Sequence, residues 1–108
     1  MQYVILLMAA LASGSAQAAN PDGKAIYEHW CAPCHAPGPG HPGTQSLQFK
    51  YQGKLPPVLL DRTDLTPQAV SVFVRQGVLL MAPFRKTEIT DAQLAALATY
   101  VTAHAKAP

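Results

Sequence analysis

Cysteine is scarce in this chain: Cys31 and Cys34 are the only two among 108 residues. With no second pair, a structural zinc site lacks half its usual ligands, and His29, His41 and His104 have no finger-like spacing to replace them. A disulfide between two cysteines so close in sequence closes too small a loop to stabilise much. Charge is scarce too, at 13% of residues with a formal net charge of +2. The basic residues are scattered rather than striped, so no nucleic-acid partner is indicated. Strand-like alternation of apolar and polar residues persists nowhere, which predicts an all-α domain. An all-helical chain offers no βαβ framework for a thioredoxin-like Cys-x-x-Cys dithiol.

What is present begins with an apolar run over residues 3–12, followed by small residues ending in Ala16-Gln17-Ala18. No Lys or Arg precedes the run, but its length and small-residue finish are those of a secretory signal peptide. The run falls short of the ~20 apolar residues a membrane span needs. Residues 1–19 are therefore read as a cleaved signal and 20–108 as one domain, periplasmic and without a membrane span after cleavage. About 90 residues make a marginal hydrophobic core, and such domains recruit a disulfide, a metal or a bulky cofactor.

The helix signals are local. Asn20 reads as a cap with Pro21 in the first helical position, and a helix over 23–32 puts Gly23, Ile26, Tyr27 and Trp30 on one side. Residues 36–43 alternate proline and glycine and read as an irregular loop. A short helix over 44–53 and a brief turn from Pro56 to Leu60 follow. Thr66, Pro67 and Gly77 mark the cap, first position and end of the next helix, with Val70, Phe73 and Val74 on one face. Thr90 and Gln93 form a capping box, Ile89 and Leu94 a staple, and Leu94, Leu97, Ala98 and Val101 a buried stripe beside Tyr100.

The two cysteines belong to Cys31-Ala-Pro-Cys34-His35, and Cys-x-x-Cys-His is the attachment motif of c-type haem. Cysteines about one helical turn apart match the two vinyl groups on one porphyrin edge. The adjoining His35 is then delivered to the iron from one face. Removal of the signal takes Met1 and Met8, leaving Met81 as the one methionine. It lies in the loop of residues 78–87, stiffened by Pro83, well downstream of His35. A thioether so placed is what His/Met ligation requires, although a lone methionine also serves as core filler. Val70, Phe73, Val74, Leu79 and Phe84 are pocket candidates. Tyr51, Arg62 and Arg75 are candidates to hydrogen-bond a haem propionate. Arg85 and Lys86 are candidates for partner docking, against the alternative of a solvated pair beside Glu88. Trp30 reads as packing rather than an electron relay.

With these residues in view, the chain resembles monohaem class I cytochromes c over the whole mature domain. The resemblance implies a small cytochrome c fold, three main helices plus short helices wrapped around one covalently attached haem c. It implies Cys31 and Cys34 as thioether links, His35 as proximal ligand and Met81 as distal ligand. It implies crossing first and last helices, Gly23 and Tyr27 meeting Leu97 and Tyr100, and a proline carbonyl, from Pro42 or Pro39, holding the His35 ring. The string KYQGKLPPVLLDRTDLTPQAVSVFVRQGVLLMAPFRKTEITDAQL is in addition similar to small cytochromes that accompany flavin-dependent alkylphenol oxidoreductases of the p-cresol methylhydroxylase and eugenol hydroxylase type. Many of those read Met-Pro where this chain reads Met81-Ala82-Pro83.

The expected role is electron transfer rather than catalysis, with a redox partner protein, a flavoprotein by resemblance, as donor and a further redox carrier as acceptor. Three alternatives stand beside it: a haem enzyme or gas sensor with an open distal face, a carrier for a non-flavin periplasmic dehydrogenase, and a structural assembly subunit.

Overall fold

The computed structural model describes residues 20–105, with the side chains of His104 and Ala105 outside that description; the expected signal, residues 1–19, also lies outside the described residues. Among the described residues the chain is helical: α1 (Gly23–Trp30), α2 (Ala32–His35), α3 (Pro42–Tyr51), a 3₁₀ turn (Leu59–Asp61), α4 (Pro67–Gln76) and α5 (Asp91–Ala105). The sole extended pairing among them is an isolated bridge between Val78 and Met81. No helix among the described residues is long and apolar enough to cross a membrane.

Several helix boundaries differ from the sequence expectation. Asp22, not Asn20, caps α1, its carboxylate accepting from the amides of Lys24 and Ala25 at 3.0 and 3.3 Å. The helix then stops at Trp30 instead of running to Ala32, because Pro33 lacks an amide proton and its ring would strike the preceding turn. The chain bends at Cys31 and restarts as α2. The third helix also begins earlier than expected, at Pro42, so that the Pro/Gly loop is shorter.

The later signals hold. Thr66 accepts from the Ala69 amide at 3.1 Å, and Gly77, at φ 69°, closes α4. Thr90 and Gln93 exchange both capping-box hydrogen bonds, at 2.8 and 3.2 Å. Ile89, Leu94, Leu97, Ala98 and Val101 are all buried and share one core cluster with Tyr27, Cys31, Leu65, Val70 and Val74.

The first and last helices cross. A β-carbon on Gly23 would lie 2.3 Å from the Ala96 carbonyl oxygen and 2.8 Å from Tyr100 Cβ, so only glycine permits this approach. Tyr27 and Tyr100 meet at the crossing, ring centroids 5.6 Å apart. Burial among these rings pushes the Tyr27 hydroxyl up to about 12.

Candidate functional site

The Cys31–His35 segment folds on itself. The Cys31 carbonyl accepts from the amides of Cys34 and His35 at 3.1 and 2.9 Å, making one tight turn that carries both thiols and the imidazole. Cys31 is buried, Cys34 exposed, and both are free. Two further bonds sew this turn to α3: the Thr44 hydroxyl donates to the Ala36 carbonyl at 2.8 Å, and His41 Nδ1 meets the Pro33 carbonyl at 3.0 Å. Gly43 lies against the histidine. A β-carbon there would sit 2.8 Å from His35 Cε1 and 2.7 Å from the Cys34 carbonyl oxygen.

Burial governs the chemistry of this turn. Desolvation, with the neighbouring Cys34, pushes the Cys31 thiol up to about 11, so at neutral pH it is neither a reactive thiolate nor a metal-binding one. Desolvation also lowers the His35 pKa, favouring the neutral imidazole that a metal requires. His35 Nδ1 is sealed from solvent without a hydrogen-bond partner. Neither Pro39 nor Pro42 supplies the carbonyl that the resemblance implies. Pro42 opens α3, where carbonyls turn along the helix axis, and Pro39 stands between Gly38 and Gly40 in the loop.

Met81 closes a four-residue turn, exchanging backbone hydrogen bonds with Val78 at 3.0 and 2.9 Å. Leu79 takes a left-handed φ of 52° within it. Met81 is half-buried, whereas Leu79 and Leu80 project outward, 92% and 98% exposed. Among the pocket candidates, Val70 and Val74 are core, Phe84 packs against the core, and Phe73 and Leu79 are exposed. The Phe84 ring meets Trp30 edge-on with centroids 5.7 Å apart, which gives Trp30 the packing role expected of it.

The polar candidates separate into two groups. Arg62 is buried, grips both carboxylate oxygens of Asp64 at 2.6 Å, donates to the Tyr51 hydroxyl at 2.9 Å and stacks over the Tyr51 ring at 5.0 Å. The Arg62 hydrogen bond holds the Asp64 carboxyl below the usual carboxylate range, and the same bond raises the Arg62 pKa. Arg75 lies elsewhere, donating to the Phe84 carbonyl at 3.2 Å and to Asp91 at 2.8 Å. Arg85 pairs with Glu88 and Lys86 with Asp91, all largely on the surface. Gly43, Thr44, Asp64 and Asp91 carry this geometry and were not among the sequence candidates. Only the proximity of Gly43 and Thr44 to the Cys-x-x-Cys-His motif offered a signal.

A search of curated proteins finds no match to this chain. A family model, cytochrome c oxidase, cbb3-type, subunit III, matches residues 18–101, which include the whole stretch from the α1 cap through the stripe of α5. That match covers most of the chain and agrees with its helices. The chain thus belongs to this family of cytochrome c domains, which carry a covalently attached haem c and transfer electrons with a redox partner.

Proposed function

We propose that the chain is a periplasmic one-electron carrier whose haem c is bonded through Cys31 and Cys34 and ligated by His35 and Met81. The observation that carries the reading is the turn from Cys31 to His35. It presents two free thiols a helical turn apart and an imidazole with one nitrogen sealed inside the protein. This donor set fits a haem: the thiols suit two vinyl groups of one edge, and with Nδ1 turned inward, Nε2 is the nitrogen for iron. When bound, the haem supplies an iron that gains and loses one electron.

The chain's own residues set the conditions. Met81, together with His35, would hold a haem iron, favour its reduced state and deny it to other ligands. A guanidinium has five N–H donors, and three from Arg62 are engaged by Asp64 and Tyr51, which leaves two for a haem carboxylate. Residues 1–19 support export. The similarity of the second half to alkylphenol flavocytochrome subunits supports a flavoprotein as donor, and the exposure of Arg85 and Lys86, each paired with a nearby acid, supports them as contacts for an acidic partner surface.

Carbon monoxide tests the reading. The reduced holoprotein, made in a host that attaches haem, is expected not to bind the gas, and Met81→Ala is expected to bind it. Ready binding by the parent protein would instead establish an open distal face, as in an enzyme or sensor.

A further inference from the structure

We propose that Arg75, braced by Asp91, is the positioning residue that holds the Met81 turn in place, an inference that rests on the His35/Met81 ligation proposed above. Phe84 follows Met81 by three residues and is fixed from three sides. Its amide donates to the Val74 carbonyl at 2.7 Å, its carbonyl accepts from Arg75 Nη1 at 3.2 Å, and its ring abuts Trp30. Val74 and Arg75 occupy the last turn of α4, immediately before the chain departs at Gly77. The turn therefore leaves one helix end and is tied back to that same end, a loop closed at its neck.

The neck depends on Arg75. Its Nη2 donates to Asp91 Oδ1 at 2.8 Å, so one planar group joins the end of α4, the exit of the Met81 turn and the first residue of α5. The Arg75 side chain is 22% exposed, against 73% for Lys86, the second cation on Asp91. The Arg75–Asp91 pair is the shielded arm of the two, and Lys86 the solvated one. A guanidinium serves two acceptors at once in fixed geometry, which a lysine ammonium on a flexible stem does not reproduce. Through the Phe84–Trp30 contact, the neck also touches the residue preceding Cys31. The distal turn and the proximal motif thus share one support. Loss of the Arg75 donor frees the Phe84 carbonyl and loosens the turn without touching Met81 itself.

Imidazole binding to the ferric holoprotein tests this, followed through the weak near-infrared band of a thioether–iron bond and paired with hydrogen exchange of the Phe84 amide. In Arg75→Met, imidazole is expected to displace the thioether about tenfold more readily, the scale of one charge-assisted hydrogen bond, and the Phe84 amide to exchange faster. Asp91→Asn is expected to move both readouts in the same direction by about threefold, and Arg75→Lys to fall between parent and Arg75→Met. Asp22→Ala, which removes the α1 cap, is expected to lower the melting temperature with no change in imidazole affinity. Parent-like imidazole affinity in Arg75→Met and Asp91→Asn overturns the positioning role, even where Met81→Ala abolishes the band and upholds the ligation. A parent protein without the band, or a band that survives in Met81→Ala, overturns the ligation and this inference with it. If Arg75→Met does not accumulate, Asp91→Asn, at an exposed position, decides the question.

Discussion

The two segments proposed to grip the haem are built by opposite strategies. The His35 side is stitched from its own neighbours: Cys31 to Cys34 and His35, Pro33 to His41, Ala36 to Thr44. The Met81 side has one local pairing, Val78 with Met81, and otherwise hangs on α4, α5 and Trp30. The proximal ligand is consequently a property of a short peptide, and the distal ligand a property of the folded domain. On the proposed ligation, a domain built in this way would release its thioether before its imidazole as the tertiary structure weakens. Local unfolding of one region ahead of the rest is the physical form such an asymmetry takes.

The asymmetry can be broken most severely at Gly43. Gly43→Ala forces a β-carbon against the Cys34 carbonyl and the His35 ring, and is expected to destabilise the protein by about 1–3 kcal/mol. It should also reduce haem incorporation, measured by the ratio of Soret to protein absorbance. Normal incorporation and stability would mean that the proximal segment is not rigid.

A milder incision is Thr44→Val, which keeps shape and removes the donor to Ala36. We expect a loss of about 1 kcal/mol in thermal melting, with imidazole affinity unchanged, because the distal turn does not depend on this bond. A rise in imidazole affinity would show the two sides to be mechanically one. Leu79→Gly gives the smallest effect. A leucine at φ 52° holds strain of about 1 kcal/mol, the lower end for the left-handed region, glycine adds back about 0.5–1 kcal/mol of lost freedom, and the net is a small gain in melting temperature. A clear loss would mean that the Leu79 side chain, exposed as it is, supports the turn.

The same division explains what could be read from the sequence. The Cys-x-x-Cys-His turn, the Thr66 cap and the Thr90–Gln93 box are short-range devices, and their residues are adjacent in sequence. The spacing put Gly23 on one helix side with Tyr27 and Trp30, and its place at the crossing came from the resemblance. Asn20 and Asp22 are both good caps, and Pro21 favours the first, but the α1 register selects Asp22. Arg62 and Arg75 looked equivalent: Asp64 is a local partner of Arg62, but the Tyr51 and Asp91 contacts that separate the two arginines are decided by how α3, α4 and α5 pack. Gly43 is one of several glycines in a loop-like stretch, and nothing local distinguishes the one beneath the histidine.

The crossing of α1 and α5 has a consequence for biosynthesis. Tyr27 cannot find Tyr100, nor Gly23 the Ala96 carbonyl, until α5 has left the ribosome. Synthesis must therefore pass α5 before the hydrophobic interior can close, since domains complete as units rather than piecemeal. On the export proposed above, a polypeptide still open while α5 emerges would be in the state that a translocation channel accepts and in which a ligase could reach Cys31 before it becomes buried.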